Sequence, residues 1–230
     1  MDACKTTIFV VDDEEGVRKA LRRLLIAHGF EVRAFESGHH FLLEHDATIP
    51  GCVLLDLELP GMSGLQVQDA LRDAGIERPI IFVTGRGDVP SSVRALKRGA
   101  VDFISKPITE AELLEAIHAA LTLDRTLRQK RTAMAQVQQR IARLTPREHE
   151  VFLRVVEGRL NKQIAGELGT QERTIKVHRA RVMRKMGART LADLVHLASR
   201  VGLGESGLHV GPAVRPSQSN RPGTEVSSAI

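Results

Sequence analysis

At 230 residues the chain exceeds the roughly 150 residues of a typical single domain, so its length favours two. A composition of 42% hydrophobic and 27% charged residues excludes a wholly disordered chain, and no apolar run approaches the about 18 residues of a membrane span. The net charge of +5 conceals a split: residues 1–120 hold 13 Lys and Arg against 19 Asp and Glu, net −6, whereas residues 121–230 hold 20 against 9, net +11.

In chain order, short β-branched runs at 7–11, 32–35, 53–55, 80–83 and 101–104 predict strands. Helical patterns lie between them at 16–27, 39–43, 65–74 and 91–98. Strands alternating with helices at this spacing predict βαβ units around a parallel sheet. Thr109, with Glu112 three residues on, predicts a capping box opening a further helix. No Pro or Gly interrupts that helix up to Arg143. Leu113, Ala116, Ala120, Leu123, Leu127, Met134, Val137, Ile141 and Leu144 fall at alternating a and d positions of a heptad, with Lys130 the one interruption. The first part of this stripe is expected to pack on the sheet; the rest either pairs with another chain or forms a solvated linker. Thr145, Pro146 and Glu148 predict a capped start to a compact helical region running to about Val201, broken by Gly158 and Gly169. Beyond Gly202 the chain is rich in Gly, Pro and Ser without hydrophobic period, and a disordered tail is expected.

In the acidic half, chemistry-bearing residues follow the predicted strands. Asp12 and Asp13 follow the first, Asp56 the third, Thr84 ends the fourth, and Lys106 follows the fifth. Ligand sites in open α/β sheets form at the carboxyl ends of strands, where these residues would meet. Clustered carboxylates repel one another unless a hard cation sits between them, and an all-oxygen set suits Mg²⁺. Cys4 and Cys52 lack the spacing of a zinc site, and His39–His40 is read as a surface pair rather than a metal site.

Residues 5–120 resemble the receiver domain of bacterial two-component response regulators, through Asp12/Asp13, Asp56 with its PGMSG turn, Thr84, and Lys106–Pro107. The run TGRGDVPSSVRALKRGAVDFISKP further resembles the FixJ branch. The resemblance implies that Asp56 takes a phosphoryl group from a kinase histidine. It implies Mg²⁺ held by Asp12, Asp13, Asp56 and the Glu58 backbone carbonyl, with Lys106 pairing to phosphoryl oxygens. Thr84 would donate to one of those oxygens, and Phe103 takes the place of a switch aromatic. An aspartyl-nucleophile phosphatase would want a second Asp two residues after the first; here Glu58 stands there.

The basic half contains LTPREHEVFLRVVEGRLNKQIAGELGTQERTIKVHRARVMRKMG, which resembles the LuxR/NarL-type helix-turn-helix over roughly 143–201. Gln171 stands where the family usually has a Ser N-cap, so either Thr170 takes over or the helix start frays. A helical wheel puts Ile175, Val182, Met183 and Met186 on the core side. Arg173, Val177, Ala180 and Arg184 lie opposite, with Lys176 and Arg181 on the flanks and Arg179 near the core side. That face suits a major groove: Val177 and Ala180 can touch thymine methyls and Lys176 can reach a guanine edge. Arg181, Arg184, Lys162 and His178 would take phosphates, and Arg173 and Thr174 complete the DNA-facing set. Absence of Tyr and Trp argues against stacking on single strands.

The expected architecture is an α/β receiver, doubly wound around a five-stranded parallel sheet, at 1–121. A helical linker at 122–143, an all-α helix-turn-helix domain at 144–202 and a disordered tail at 203–230 follow. The expected function is phosphorylation-dependent regulation, by activation, of transcription, with no enzyme activity of its own. Expected partners are a sensor histidine kinase, promoter duplex DNA, RNA polymerase and a second copy of the chain after phosphorylation. No membrane is expected as a partner, and the start of the chain lacks a signal pattern, so a cytoplasmic location is expected.

Overall fold

The computed structural model describes residues 6–85 and 98–203. The chain divides into two compact units, Met1–Ala133 and Met134–Ile230. Most of the helix expected at 91–98, and the tail from 204 on, lie outside the described residues; Arg98 itself sits in a turn.

The first unit runs β1 (Thr7–Val11), α1 (Glu15–Ala27), β2 (Glu31–Phe35), α2 (Gly38–Glu44), β3 (Gly51–Asp56), α3 (Gly64–Asp73), β4 (Ile80–Thr84) and β5 (Asp102–Ser105). The 33-residue α4 (Glu110–Ala142) follows. All strand pairs are parallel, in the order β2-β1-β3-β4-β5. The three central strands are buried along their whole length, as their unbroken apolar runs require of a sheet covered on both faces. Ile8, Val10, Leu54, Ile81 and Val83 face Leu21 and Leu25 of α1 and Leu113, Ile117 and Ala120 of α4. Their alternates Phe9, Val11, Val53, Leu55 and Phe82 face Phe41, Val67 and Leu71 of α2 and α3. Strand β3 starts two residues earlier than the apolar run suggested, because Gly51 and Cys52 pair with Thr7 and Ile8 of β1.

The start of α4 shows half of the expected capping box. The Thr109 hydroxyl accepts from the Glu112 backbone N–H at 3.4 Å, but it also donates to the Glu112 carboxylate at 2.7 Å, so that carboxylate does not reach back to the backbone. Farther along, residues 122–143 are not a stretch free of contacts. Asp124, 5% exposed, accepts the Gly51 N–H at 3.0 Å and Arg128 Nε at 2.8 Å. Arg128 also donates to the carbonyls of Ala47, Thr48 and Ile49, and Arg131 bonds Glu77 at 3.2 Å. Buried Arg78 completes the network by donating to the carbonyls of Asp46, Ile49 and Gly51 and to His45 Nε2, with its guanidinium 4.8 Å above the Phe9 ring. Burial, then the nearby Arg78 charge, pushes His45 down to about 4, leaving its imidazole neutral and able to accept from Arg78. The heptad stripe is likewise divided: Val137 is a buried core residue of the second unit, with Ile141 and Leu144 packed against it. Leu123 and Met134 remain exposed, and Leu127 is half-buried.

The second unit continues with α5 (Pro146–Val156), α6 (Asn161–Glu167), α7 (Glu172–Met186) and α8 (Leu191–Ser199). Its core gathers Val137, Val151, Phe152, Val155, Ile164, Ile175, Val182, Met186, Leu194 and Ala198. Helix α7 ends at Gly187, whose φ of +68° gives the left-handed cap that glycine adopts without strain. The Thr145–Glu148 capping box is complete, and Lys185 of α7 donates to the Glu148 carboxylate and to the Arg143 carbonyl. The Lys185 bond first, then the Thr145 N–H, holds Glu148 down to about 2. A folded-state pKa below the unfolded one adds stability above the ordinary value of 4.5, which is lost as pH falls toward 2. Glu148→Gln therefore destabilises this unit by about 2 kcal/mol at neutral pH. Urea melts should show that difference shrinking below pH ~4.5; an equal difference at neutral and strongly acidic pH contradicts the ion-pair account.

Candidate functional site

The parallel sheet brings the carboxyl ends of β1, β3, β4 and β5 to one edge. Asp12 follows β1, Asp56 closes β3, Thr84 closes β4, and Lys106 follows β5. Asp12, Asp13 and Asp56 each offer a carboxylate oxygen, all within 4.8 Å of one another. Asp12 and Asp56 are buried and Asp13 is exposed, so the cluster has two deep ligands and one facing water. Lys106 Nζ lies 2.9 Å from Asp12 Oδ2 and 2.9 Å from Asp56 Oδ2. The remaining oxygens are also held: Asp12 Oδ1 accepts the Glu14 N–H at 2.8 Å, and Asp56 Oδ1 accepts the Glu58 N–H at 3.0 Å.

The local sequence dictates this closeness. Gly64 opens α3 against the Asp56 carbonyl, where an added Cβ would lie 2.3 Å from that oxygen. The second glycine of PGMSG is thus required by space. Ser63 and Gln66 form a capping box that fixes the start of α3. Burial raises the Asp12 carboxyl despite its bonds to Lys106 and Glu14. Burial acts to lower Lys106, but its bonds to Asp12, Asp56 and Glu14 outweigh it and raise its pKa, keeping the ammonium charged. Thr84 is fully buried at the end of β4. Phe103 is half-buried against the layer containing Phe82, and the Lys106–Pro107 peptide is cis. The donor set is all oxygen and anionic, which fits Mg²⁺.

Two residues at this site escaped the sequence reading. Glu14 Oε1 lies 3.1 Å from Lys106 Nζ, and Arg18 donates to the Asp12 carbonyl at 2.7 Å. A signal for Glu14 was present: Glu is a poor N-cap, yet it occupies that position of α1 and makes no side-chain cap.

In the second unit, α7 buries Ile175, Val182 and Met186 and half-buries Met183. It exposes Arg173, Thr174, Lys176, Val177, Ala180, Arg181 and Arg184; His178 is half-buried, and Lys162 of α6 is exposed. The exposed face is therefore cationic, with small apolar groups among the charges. Gln171 is the N-cap and its side chain makes no cap bond; its carbonyl instead accepts the N–H groups of Thr174 and Ile175 at 2.9 and 3.3 Å. Arg179 donates to Asn161 at 3.2 Å, tying α7 to α6.

Both units match known families. Residues 8–118 match the family described as response regulator receiver domain, and residues 142–198 the family described as bacterial regulatory proteins, luxR family. Nodulation protein W of Bradyrhizobium diazoefficiens is 44% identical over 199 residues, covering 86% of this chain and 88% of that protein. Response regulator protein TodT of Pseudomonas putida is 42% identical over 196 residues, covering 85% of this chain and 86% of that protein. The solved structure of response regulator StyR covers 85% of this chain and 99% of its own, with 45% identity and a TM-score of 0.74. Full-length FixJ from B. japonicum covers 87% of this chain and 98% of its own, with 36% identity and a TM-score of 0.52. The chain belongs to the two-component response regulators of the FixJ/NarL type, a family of transcriptional regulators rather than enzymes, with a receiver domain followed by a LuxR-type DNA-binding domain.

Proposed function

We propose that phosphorylation of Asp56 by a sensor histidine kinase switches this regulator to a dimer that binds promoter DNA and activates transcription. The observation that carries the reading is the Lys106 ammonium seated 2.9 Å from both Asp12 and Asp56, with Asp13 completing an oxygen cluster. In the transfer, the N–P bond of the kinase phosphohistidine breaks as a bond forms between an Asp56 carboxylate oxygen and phosphorus, and the histidine, carrying a proton on its other ring nitrogen, leaves as neutral imidazole. Asp12, Asp13, Asp56 and the Glu58 carbonyl would hold Mg²⁺, which supplies positive charge to the phosphoryl oxygens when bound. Lys106 leaves its carboxylate partners to pair with a phosphoryl oxygen. The Thr84 hydroxyl donates to another, and Phe103 turns inward behind it, altering the surface beside β5.

Helix α7 enters the major groove. Lys176 reads a guanine edge, and Val177 and Ala180 meet thymine methyls. Lys162, Arg173, Thr174, His178, Arg181 and Arg184 bind the backbone and set the register. A single head reads one half-site, so useful affinity requires two. A regulator working on promoter DNA with RNA polymerase acts in the cytoplasm. Separately, among the described residues no helix is long and apolar enough to cross a membrane.

Sedimentation with and without beryllofluoride and Mg²⁺ tests the switch. The mimic should shift the chain from monomer to dimer, and Leu123→Glu with Met134→Glu, both exposed on α4, should weaken the dimer about ten-fold. An unchanged mass with the mimic refutes switching by dimerisation. A double variant that dimerises as tightly as the parent removes α4 from the contact.

A further inference from the structure

Helix α7 carries one acid, Glu172, at its first position, among Arg173, Lys176, Arg179, Arg181, Arg184 and Lys185. An acid on a DNA-facing surface costs affinity for every sequence, so affinity does not explain it. Its Oε1 lies 3.2 Å from Lys176 Nζ one turn on, with the two side chains 47% and 64% exposed. We propose that Glu172 is a specificity-determining residue that acts by positioning Lys176, silencing that lysine on non-cognate DNA and releasing it to a guanine.

A lysine ammonium is a flexible point charge that serves a phosphate as readily as a base edge. Phosphate contacts are the same for every sequence, and a lysine free to make one adds to non-specific binding. Paired with Glu172, Lys176 has no net charge to offer the backbone. A guanine edge instead offers two acceptors in fixed directions, and hydrogen bonding there does not depend on net charge. The pair is light enough to be released, since exposed pairs at this spacing shift an equilibrium only about two-fold. An acid at the first position also favours the helix dipole, but that role needs no contact with Lys176 and predicts a change in melting rather than in discrimination.

The inference rests on the proposed reading of α7 as the DNA-reading helix, and the test separates the two. The full chain is titrated with a duplex selected from a random pool by the parent protein, and with a scrambled duplex of equal length, over a range of salt. Glu172→Gln should tighten the scrambled duplex about two-fold and steepen its salt slope by up to about 0.9, one added phosphate contact. The selected duplex should keep its slope and gain less, because Lys176 is already committed there. The melting midpoint should fall only slightly, by no more than loss of the dipole contact and the pair allows, and in a Lys176→Gln background Glu172→Gln should no longer steepen the scrambled slope. Equal tightening of both duplexes overturns the proposal. So does a loss confined to one base pair of the selected duplex, which would make Glu172 itself a base reader. If Lys176→Gln alone leaves discrimination unchanged, the base-reading assignment falls and the tether with it.

Discussion

Asp56→Asn takes up no phosphoryl group from acetyl phosphate and Mg²⁺, while the parent chain gains about one. Asp56 closes β3 with one carboxylate oxygen 2.9 Å from Lys106 Nζ and the other accepting the Glu58 N–H, at the position where the resemblance to receiver domains puts the phosphoryl acceptor. Asparagine keeps the size and the burial but lacks the anionic oxygen that attacks phosphorus. Intact-mass measurement gives the answer directly. Chelation of the metal should abolish the gain in the parent, and labelling that persists in Asp56→Asn contradicts the assignment.

Asp124→Ala destabilises the first unit by about 3 kcal/mol, although the residue lies far along the chain from the acidic cluster. Its carboxylate, 7% exposed, satisfies both the Gly51 N–H that opens β3 and the Arg128 guanidinium that clasps the 47–49 carbonyls. Removal leaves a buried N–H without an acceptor and a second guanidinium near Arg78 without its counter-charge. Burial, against the pull of Asp124, already pushes Arg78 down to about 10. Thermal unfolding of the full chain checks this in the transition that beryllofluoride with Mg²⁺ raises, which belongs to the first unit. Exposed Arg125→Ala on the same helix should move that transition by less than about 0.5 kcal/mol. A loss below about 1 kcal/mol for Asp124→Ala would show that the network is not needed to hold α4 in place.

The strands and the acidic cluster were legible because each depends on local chemistry that sequence displays. A central parallel strand is an unbroken apolar run, and the residue that follows it lands at the ligand edge; Asp12, Asp56, Thr84 and Lys106 all follow from that rule. What failed was the fate of α4. Leu113, Ile117, Ala120 and Asp124 share one helical face, so the buried stripe continues into a charged residue. A hydrophobic count follows Leu123 instead, which is exposed. Likewise Val137 and Ile141 look like an open seam only until the second unit's core is known to need them. Periodicity reports which side of a helix is apolar, not which partner covers it. Glu14 was hidden for the opposite reason: its bond to Lys106 spans 92 positions and has no local pattern beyond a misplaced cap.

The central claim is that charge chemistry at Asp56 governs DNA binding by the second unit. The most direct measurement is the affinity of the full chain for a selected duplex, titrated with and without beryllofluoride and Mg²⁺, in the parent and in Asp56→Asn. The account predicts binding at least about ten-fold tighter with the mimic in the parent, from joining two heads on two half-sites, and no change in the variant. Superimposable isotherms for the parent with and without the mimic would contradict it.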